Sequence, residues 1–266
     1  MQVPAHPLFP RPLAAKVPEI TALFWVVKIL TTGMGEAASD YLAFTSLVLA
    51  AFVGAGGLLV AMVWQFHTPT YRAVPYWSNV AMVAVTGTMA ADFLHRFLGI
   101  SYVVTTPFCA LVLALVLTWW WRSEATLSIH SVTTRRRELF YWATVMATFA
   151  FGTAAGDLTA ASLGMGYLRS GLLFGAMILV PLVAWRLGLN AIAAFWTAYI
   201  LTRPLGASFA DWFAKPVSRT GLGYGDGPVT LVLLVAIVGL VGWVAVRDRA
   251  AAMGEGSTLP LESDRV

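Results

Sequence analysis

Residues 25–40 read WVVKILTTGMGEAASD, opening on Trp25 and closing on Asp40. The frame is a Trp, nine residues, a Gly, four residues and an Asp. It returns as Trp77-Gly87-Asp92, Trp142-Gly152-Asp157 and Trp196-Gly206-Asp211. Each copy lies in or at the end of a long apolar stretch. A carboxylate is costly in such surroundings, so four at one repeat position point to a shared use.

Around this frame the chain is apolar. Of its 266 residues 59% are hydrophobic and 11% charged, with a mean hydropathy of +0.75. Soluble domains carry about 25% charged residues. The apolar blocks approach membrane-spanning length, near 20–43, 46–66, 76–96, 102–122, 138–160, 169–186, 190–213 and 228–246. The expected fold is all-α: a polytopic membrane protein of eight transmembrane helices. The rival is a very apolar soluble bundle, whose long helices would have almost no polar face.

The aspartates are spaced 52, 65 and 54 residues apart, which fits one helical hairpin per repeat. An even number of spans per repeat gives parallel repeats, and the two chain halves are expected to pair about a pseudo-two-fold axis. Helices 1, 3, 5 and 7 should form an inner ring shielded by the even helices. One transmembrane domain is expected over 1–247, with repeats near 20–66, 76–122, 138–186 and 190–246. Residues 248–266 are expected to be a flexible cytoplasmic tail.

Charge sets the orientation. Eight spans put both termini on one side, which receives eleven bases, among them the run Arg135-Arg136-Arg137. The other side receives four, Arg96, Arg169, Lys215 and Arg219. The positive-inside rule places both termini in the cytoplasm. The first 19 residues hold five prolines and no apolar run, so they read as a short cytosolic arm rather than a signal peptide. Many Trp residues fall near predicted span ends, either at the headgroup zone or as packing. Cys109, the single cysteine, is an apolar filler.

Within the spans, Lys28, Thr32, Glu36 and Asp40 recur every four residues down one side of helix 1, over about 18 Å. Such a column faces a water-filled path or the polar groups of neighbouring helices. Thr88 and Asp92, Thr153 and Asp157, and Arg203 and Asp211 extend it in the other repeats. Five acids against Lys28 and Arg203 leave an acidic surplus, which favours a cation or protons. Glu36, Asp40, Asp92, Asp157 and Asp211 are the candidate metal ligands, suited to hard divalent ions such as magnesium or manganese. The bland alternative is that each Asp caps a helix or bonds to nearby backbone. Lys28 and Arg203 are expected to neutralise carboxylates at rest, or secondarily to hold an anion.

Gly35, Gly87, Gly152 and Gly206 read as close helix crossings where no side chain fits, or less simply as local breaks in the helices. Pro204 should kink helix 7, as a hinge or merely as a matter of shape. No nucleotide-binding, zinc-hydrolase or triad motif is present, and Gly156-Asp157 alone echoes an intramembrane aspartyl protease. No enzyme is expected, and no cofactor is implied.

The segment Thr31-Thr32-Gly33-Met34-Gly35-Glu36-Ala37-Ala38-Ser39-Asp40, preceded by Lys28, resembles the repeat signature of a bacterial family of uncharacterised membrane-anchored proteins. That family is similar in size, in its four repeats and in its Lys…Thr-Thr-Gly-x-Gly-Glu-x-x-x-Asp motif. The resemblance covers roughly residues 20–247 and implies a membrane location without an activity. Repeats 2 to 4 depart from the motif: they lack the Lys, and Thr88, Thr153 and Ala207 stand where repeat 1 has Glu36. One asymmetric central site is therefore expected.

The functional expectation is a secondary transporter of a small cation coupled to protons, its path lined by Lys28, Thr32, Glu36, Asp40, Asp92, Asp157, Arg203 and Asp211. The alternative is a membrane scaffold or assembly factor with paired buried charges. The expected partners are the lipid bilayer and a small cation or protons. Nucleic acid is not among them, and homo-oligomerisation stays open.

Overall fold

The computed structural model describes residues 14–256 and is helical throughout, with no strand among the described residues. The main helices are α1 (Ala22–Thr45), α2 (Leu47–His67), α3 (Ala73–Asp92), α4 (Tyr102–Glu124), α5 (Arg135–Asp157), α6 (Tyr167–Arg186), α7 (Ala191–Ala214) and α8 (Asp226–Gly256). Side chains set several starts. Thr21 accepts from the Phe24 amide, Thr134 from that of Arg137, and Asn190 from those of Ile192 and Ala193, each satisfying an otherwise orphaned donor. Two of the repeat aspartates end α-helical geometry. A π-helical turn, Phe93–Phe97, follows Asp92, and another, Leu158–Ser162, follows Asp157.

Packing is cyclic. α1 touches α3, α3 touches α5, α5 touches α7, and α7 returns to α1. Outside this ring, α2 lies on α3, α4 on α5, α6 on α7, and α8 closes the circuit on α1. The outer helices keep much of their apolar surface exposed, as with Phe52, Val60, Trp119, Leu179 and Val235. Among the described residues five helices are long and apolar enough to cross a membrane: Leu47–His67, Tyr102–Glu124, Arg135–Ser162, Tyr167–Arg186 and Asp226–Ala250. Four of the five are outer helices. The molecule is a helical membrane protein whose apolar face is turned outward and whose polar side chains are turned in.

The repeat glycines sit where the inner helices meet. A Cβ on Gly35 would overlap Ala84 of α3, and one on Gly87 would overlap Phe149 of α5. A Cβ on Gly152 would overlap Arg203 of α7, and one on Gly206 would come within 2.8 Å of Thr32 of α1. Thr32, Ala84, Phe149 and Arg203 each stand seven residues after the Trp of their own repeat. The same contact is thus made at every joint of the ring.

Residues 248–256, the start of the expected tail, continue a helix. Helix α8 spans Asp226–Gly256. The rest of that tail, 257–266, lies outside the described residues, as do Pro4, Pro7, Pro10 and Pro12 of the N-terminal arm. Trp77, Trp142 and Trp196 are buried packing residues, whereas Trp64, Trp119 and Trp121 are exposed.

Candidate functional site

Helix α1 supplies the axis of the site. Lys28, Thr32, Glu36 and Asp40 are all buried, from 1% to 3% exposed. An i+4 polar stripe can be buried along its whole length only if neighbouring helices enclose it, and the ring does so.

Glu36 marks the middle. Its Oε2 accepts from Thr153 Oγ1 at 2.9 Å and from Thr88 Oγ1 at 3.4 Å, and the two hydroxyls lie 3.2 Å apart. These threonines occupy the repeat position of Glu36, so three inner helices meet at one level. The carboxylate lines a cavity of about 500 Å³ together with Asp40, Asp157 and Asp211. His95, Arg96, Tyr102, Tyr167, Lys215 and Arg219 complete most of its polar wall. One ligand oxygen from each of Glu36, Asp40 and Asp211 lies within 4.8 Å of the others. That spacing suits a hard divalent ion bound by oxygen at about 2.0–2.6 Å. Asp92 is buried beside this set, and neither of its carboxylate oxygens has a hydrogen-bond donor among the described residues.

The bases beside these acids are not the expected ones. Arg96 reaches Asp40 Oδ1 at 2.6 Å and Asp92 Oδ2 at 3.6 Å. Lys215 contacts Asp40 Oδ2 and lies 3.5 Å from Asp211 Oδ1 and 2.7 Å from Asp226 Oδ1. Burial alone would lower the Lys215 ammonium, but Asp211, Asp40 and Asp226 hold it above its usual range. Both bases stand four residues after a repeat Asp. That i,i+4 offset was the signal available in the sequence. Lys215 lies just past the predicted end of its span, where a base reads as a loop charge.

Lys28 and Arg203 lie nearer the Trp end and form no ion pair among the described residues, contrary to the expectation that they neutralise carboxylates. Lys28 Nζ sits 3.4 Å from the Tyr199 ring centroid and has no hydrogen-bond acceptor among the described residues. Arg203 donates to Thr32 Oγ1 at 3.1 Å and to the Tyr199 hydroxyl at 3.3 Å, and stacks on Phe149. Cation–π contact is worth roughly 2 kcal/mol when desolvated, well short of a buried charge's solvation loss. The two basic side chains form a buried layer between Glu36 and an aromatic floor. That floor holds Tyr76, Tyr141, Trp77, Trp142 and Trp196, and its Tyr76 and Tyr141 hydroxyls are 2.5 Å apart.

A second cluster, absent from the sequence reading, closes the Trp end. Lys16 of the N-terminal arm is 1% exposed. Its Nζ reaches Glu138 at 2.6 Å and donates to the Gln65 carbonyl at 2.8 Å. Gln65 Nε2 and Arg135 both donate to Glu138. Burial holds the Lys16 ammonium below its usual range, against the pull of Glu138. Beside this knot a cavity of about 360 Å³ is lined by Val17, Pro18, Phe24, Val27 and Trp77.

Residues 75–126, 140–187 and 194–250 each match the model of a repeat described as Repeat of Unknown Function (DUF347). The chain belongs to the DUF347 repeat family. The matched segments cover more than half of it, and each begins two residues before the Trp of its frame, Trp77, Trp142 or Trp196. The Trp25–Asp40 copy, which alone carries Lys28 and Glu36, lies outside the three matched DUF347 segments. No curated protein and no solved structure matches the chain.

Proposed function

We propose that this DUF347 protein is a secondary transporter of a small cation, a divalent metal by preference, coupled to protons through its intramembrane carboxylates. The observation that carries the reading is the position of Glu36. It lines a cavity shared with Asp40, Asp157 and Asp211, where its carboxyl group is met by two threonine hydroxyls. A buried carboxylate held this way exchanges a cation for a proton at little geometric cost. Toward the Trp end, the nearer cavity reaches Val27. Nine residues of α1, about 14 Å, separate Val27 from Glu36, so two cavities approach one thin barrier from opposite sides. Alternating access needs such a barrier, with Lys28, Thr32 and Arg203 inside it.

In this reading all eight helices span the bilayer as four parallel two-helix repeats, with the two halves of the chain related by a pseudo-two-fold axis. Helices α1, α3 and α7 are less apolar because they face the ring rather than lipid. Both termini lie in the cytoplasm of a bacterial inner membrane, so the acidic cavity opens outward and the Lys16–Glu138 knot closes the inner face. The carboxylates coordinate the cation or relay protons.

A scaffold or assembly role is the second reading, favoured by the pairing of Asp40 with both Arg96 and Lys215. Reconstituted flux decides between them. Wild-type protein in proteoliposomes, tested with magnesium, manganese and other divalent ions alongside a proton indicator, should carry at least one ion. Asp92→Asn and Asp157→Asn should each abolish that flux while the protein stays folded. Undiminished flux in both variants rejects the path, and no flux from the wild type favours the scaffold.

A further inference from the structure

The loop between α7 and α8 fixes one residue with unusual completeness. Four successive carbonyls at the end of α7, those of Trp212, Phe213, Ala214 and Lys215, accept from the amides of Leu222, Tyr224, Gly225 and Gly223. Helix ends ordinarily leave such carbonyls to water or to a single cap. The returning chain can approach this closely because residue 221 is glycine, where a Cβ would run into the Lys215 backbone. The Lys215 main chain is therefore pinned, while its ammonium rides on a flexible four-carbon stem.

That ammonium lies among Asp40, Asp211 and Asp226. Asp40 and Asp211 are two of the three carboxylates that converge with ligand-like spacing, Glu36 being the third. The ammonium and a divalent ion would compete for the same oxygens. Independent features also point to a ligand here. The cavity reaches Glu36, Asp40 and Asp211, and Asp211 Oδ1 is buried with no hydrogen-bond donor among the described residues, its ion pair with Lys215 being 3.5 Å long. Asp226 is the more open partner, its side chain 17% exposed against 1% for Asp40 and 5% for Asp211. Arg96 is a poorer candidate for displacement, because one of its guanidinium nitrogens contacts Asp40 and Asp92 but forms no ion pair with Asp211 among the described residues.

We infer that Lys215 is a tethered counter-ion holding the cation position, and that a divalent cation enters by displacing its ammonium from Asp40 and Asp211 onto Asp226. The inference rests on the cation-transport reading and adds to it the element that sets affinity. It keeps the carboxylates paired in the absence of cargo, and it makes the intrinsic affinity of Glu36, Asp40 and Asp211 higher than the affinity observed. Lys215 keeps its proton throughout, since it remains paired with Asp226.

Manganese binding to the purified full chain, followed by loss of the free-ion paramagnetic resonance signal, tests this directly. Lys215→Met should bind manganese at least tenfold more tightly than wild type. Lys215→Arg should stay within about threefold of it, because the competing charge is kept. Asp226→Asn, which removes the retreat position, should bind severalfold more weakly, and it carries the test if Lys215→Met does not fold. Equal or weaker binding in Lys215→Met, or wild-type affinity in Asp226→Asn, overturns the tethered role. If Glu36→Gln still abolishes binding in that case, the cation site itself stands. Absence of manganese binding in the wild type and in every variant overturns the cation reading and the inference together.

Discussion

Glu36 on α1 accepts a 2.9 Å hydrogen bond from Thr153 on α5, 117 residues away. Each follows its repeat glycine by one residue and precedes its repeat aspartate by four. The ring brings equivalent positions to one level, and the substitutions between repeats turn that level into one acid served by two hydroxyls. A protein hydrogen bond contributes about 0.5–1.5 kcal/mol net. Thr153→Val should therefore slow cation flux roughly tenfold. Thr88→Val, which removes the longer bond, should slow it less. Initial rates in proteoliposomes check the order, and equal effects would contradict it.

The joints of the ring should be sensitive to a single methyl group. Gly152→Ala and Gly35→Ala drive a Cβ into Arg203 and Ala84, and overpacking of this kind costs about 1–3 kcal/mol. Gly239→Ala on α8, where a Cβ meets nothing within 4 Å, should be neutral or slightly stabilising. Thermal unfolding in detergent separates the two groups. Equal melting temperatures across all three would mean that the inner helices do not depend on these close approaches.

The knot at the Trp end should bear on stability more than on ion binding. Removing one partner of a buried ion pair costs about 3–5 kcal/mol, so Lys16→Met and Glu138→Ala should both melt early while leaving manganese binding near wild type. Lys16 also has a pH signature. Its folded value lies below the ordinary 10.5, so between those two values the unfolded chain binds the proton that the folded protein has lost. Stability then rises with pH across that window. Wild type should gain on Lys16→Met as pH increases toward 10.5, and a difference that shrinks with pH would contradict the assignment.

Much of the architecture is legible in the sequence because it repeats. The Trp-Gly-Asp frame shows which helices carry polar side chains, and polar helices in a bilayer turn inward, so the inner ring of α1, α3, α5 and α7 follows. The counter-ions are harder to read. Lys28 and Arg203 stand inside predicted spans and draw attention, yet packing against Tyr199 and Phe149 accounts for their contacts. Arg96 and Lys215 stand at helix ends, where a base looks like an ordinary topology charge, and only the return of the loop onto α7 shows that Lys215 is buried. The Lys16–Glu138 knot joins residues more than a hundred positions apart without any repeat relation, so no local pattern announces it.

Orientation has its own test. In a Cys109→Ala background, Thr133→Cys at the Trp end and Ser218→Cys at the Asp end replace exposed residues. A membrane-impermeant maleimide added to intact cells should label Ser218→Cys alone, with Thr133→Cys becoming reactive after lysis. The reverse pattern would turn the acidic cavity toward the cytoplasm.

The most direct test counts manganese and protons in the same sealed vesicles, for wild type and Glu36→Gln. The wild type should move manganese with protons passing the other way, and Glu36→Gln should move neither while keeping its melting temperature. Manganese and proton flux at wild-type rates in Glu36→Gln would contradict the central role given to that carboxylate.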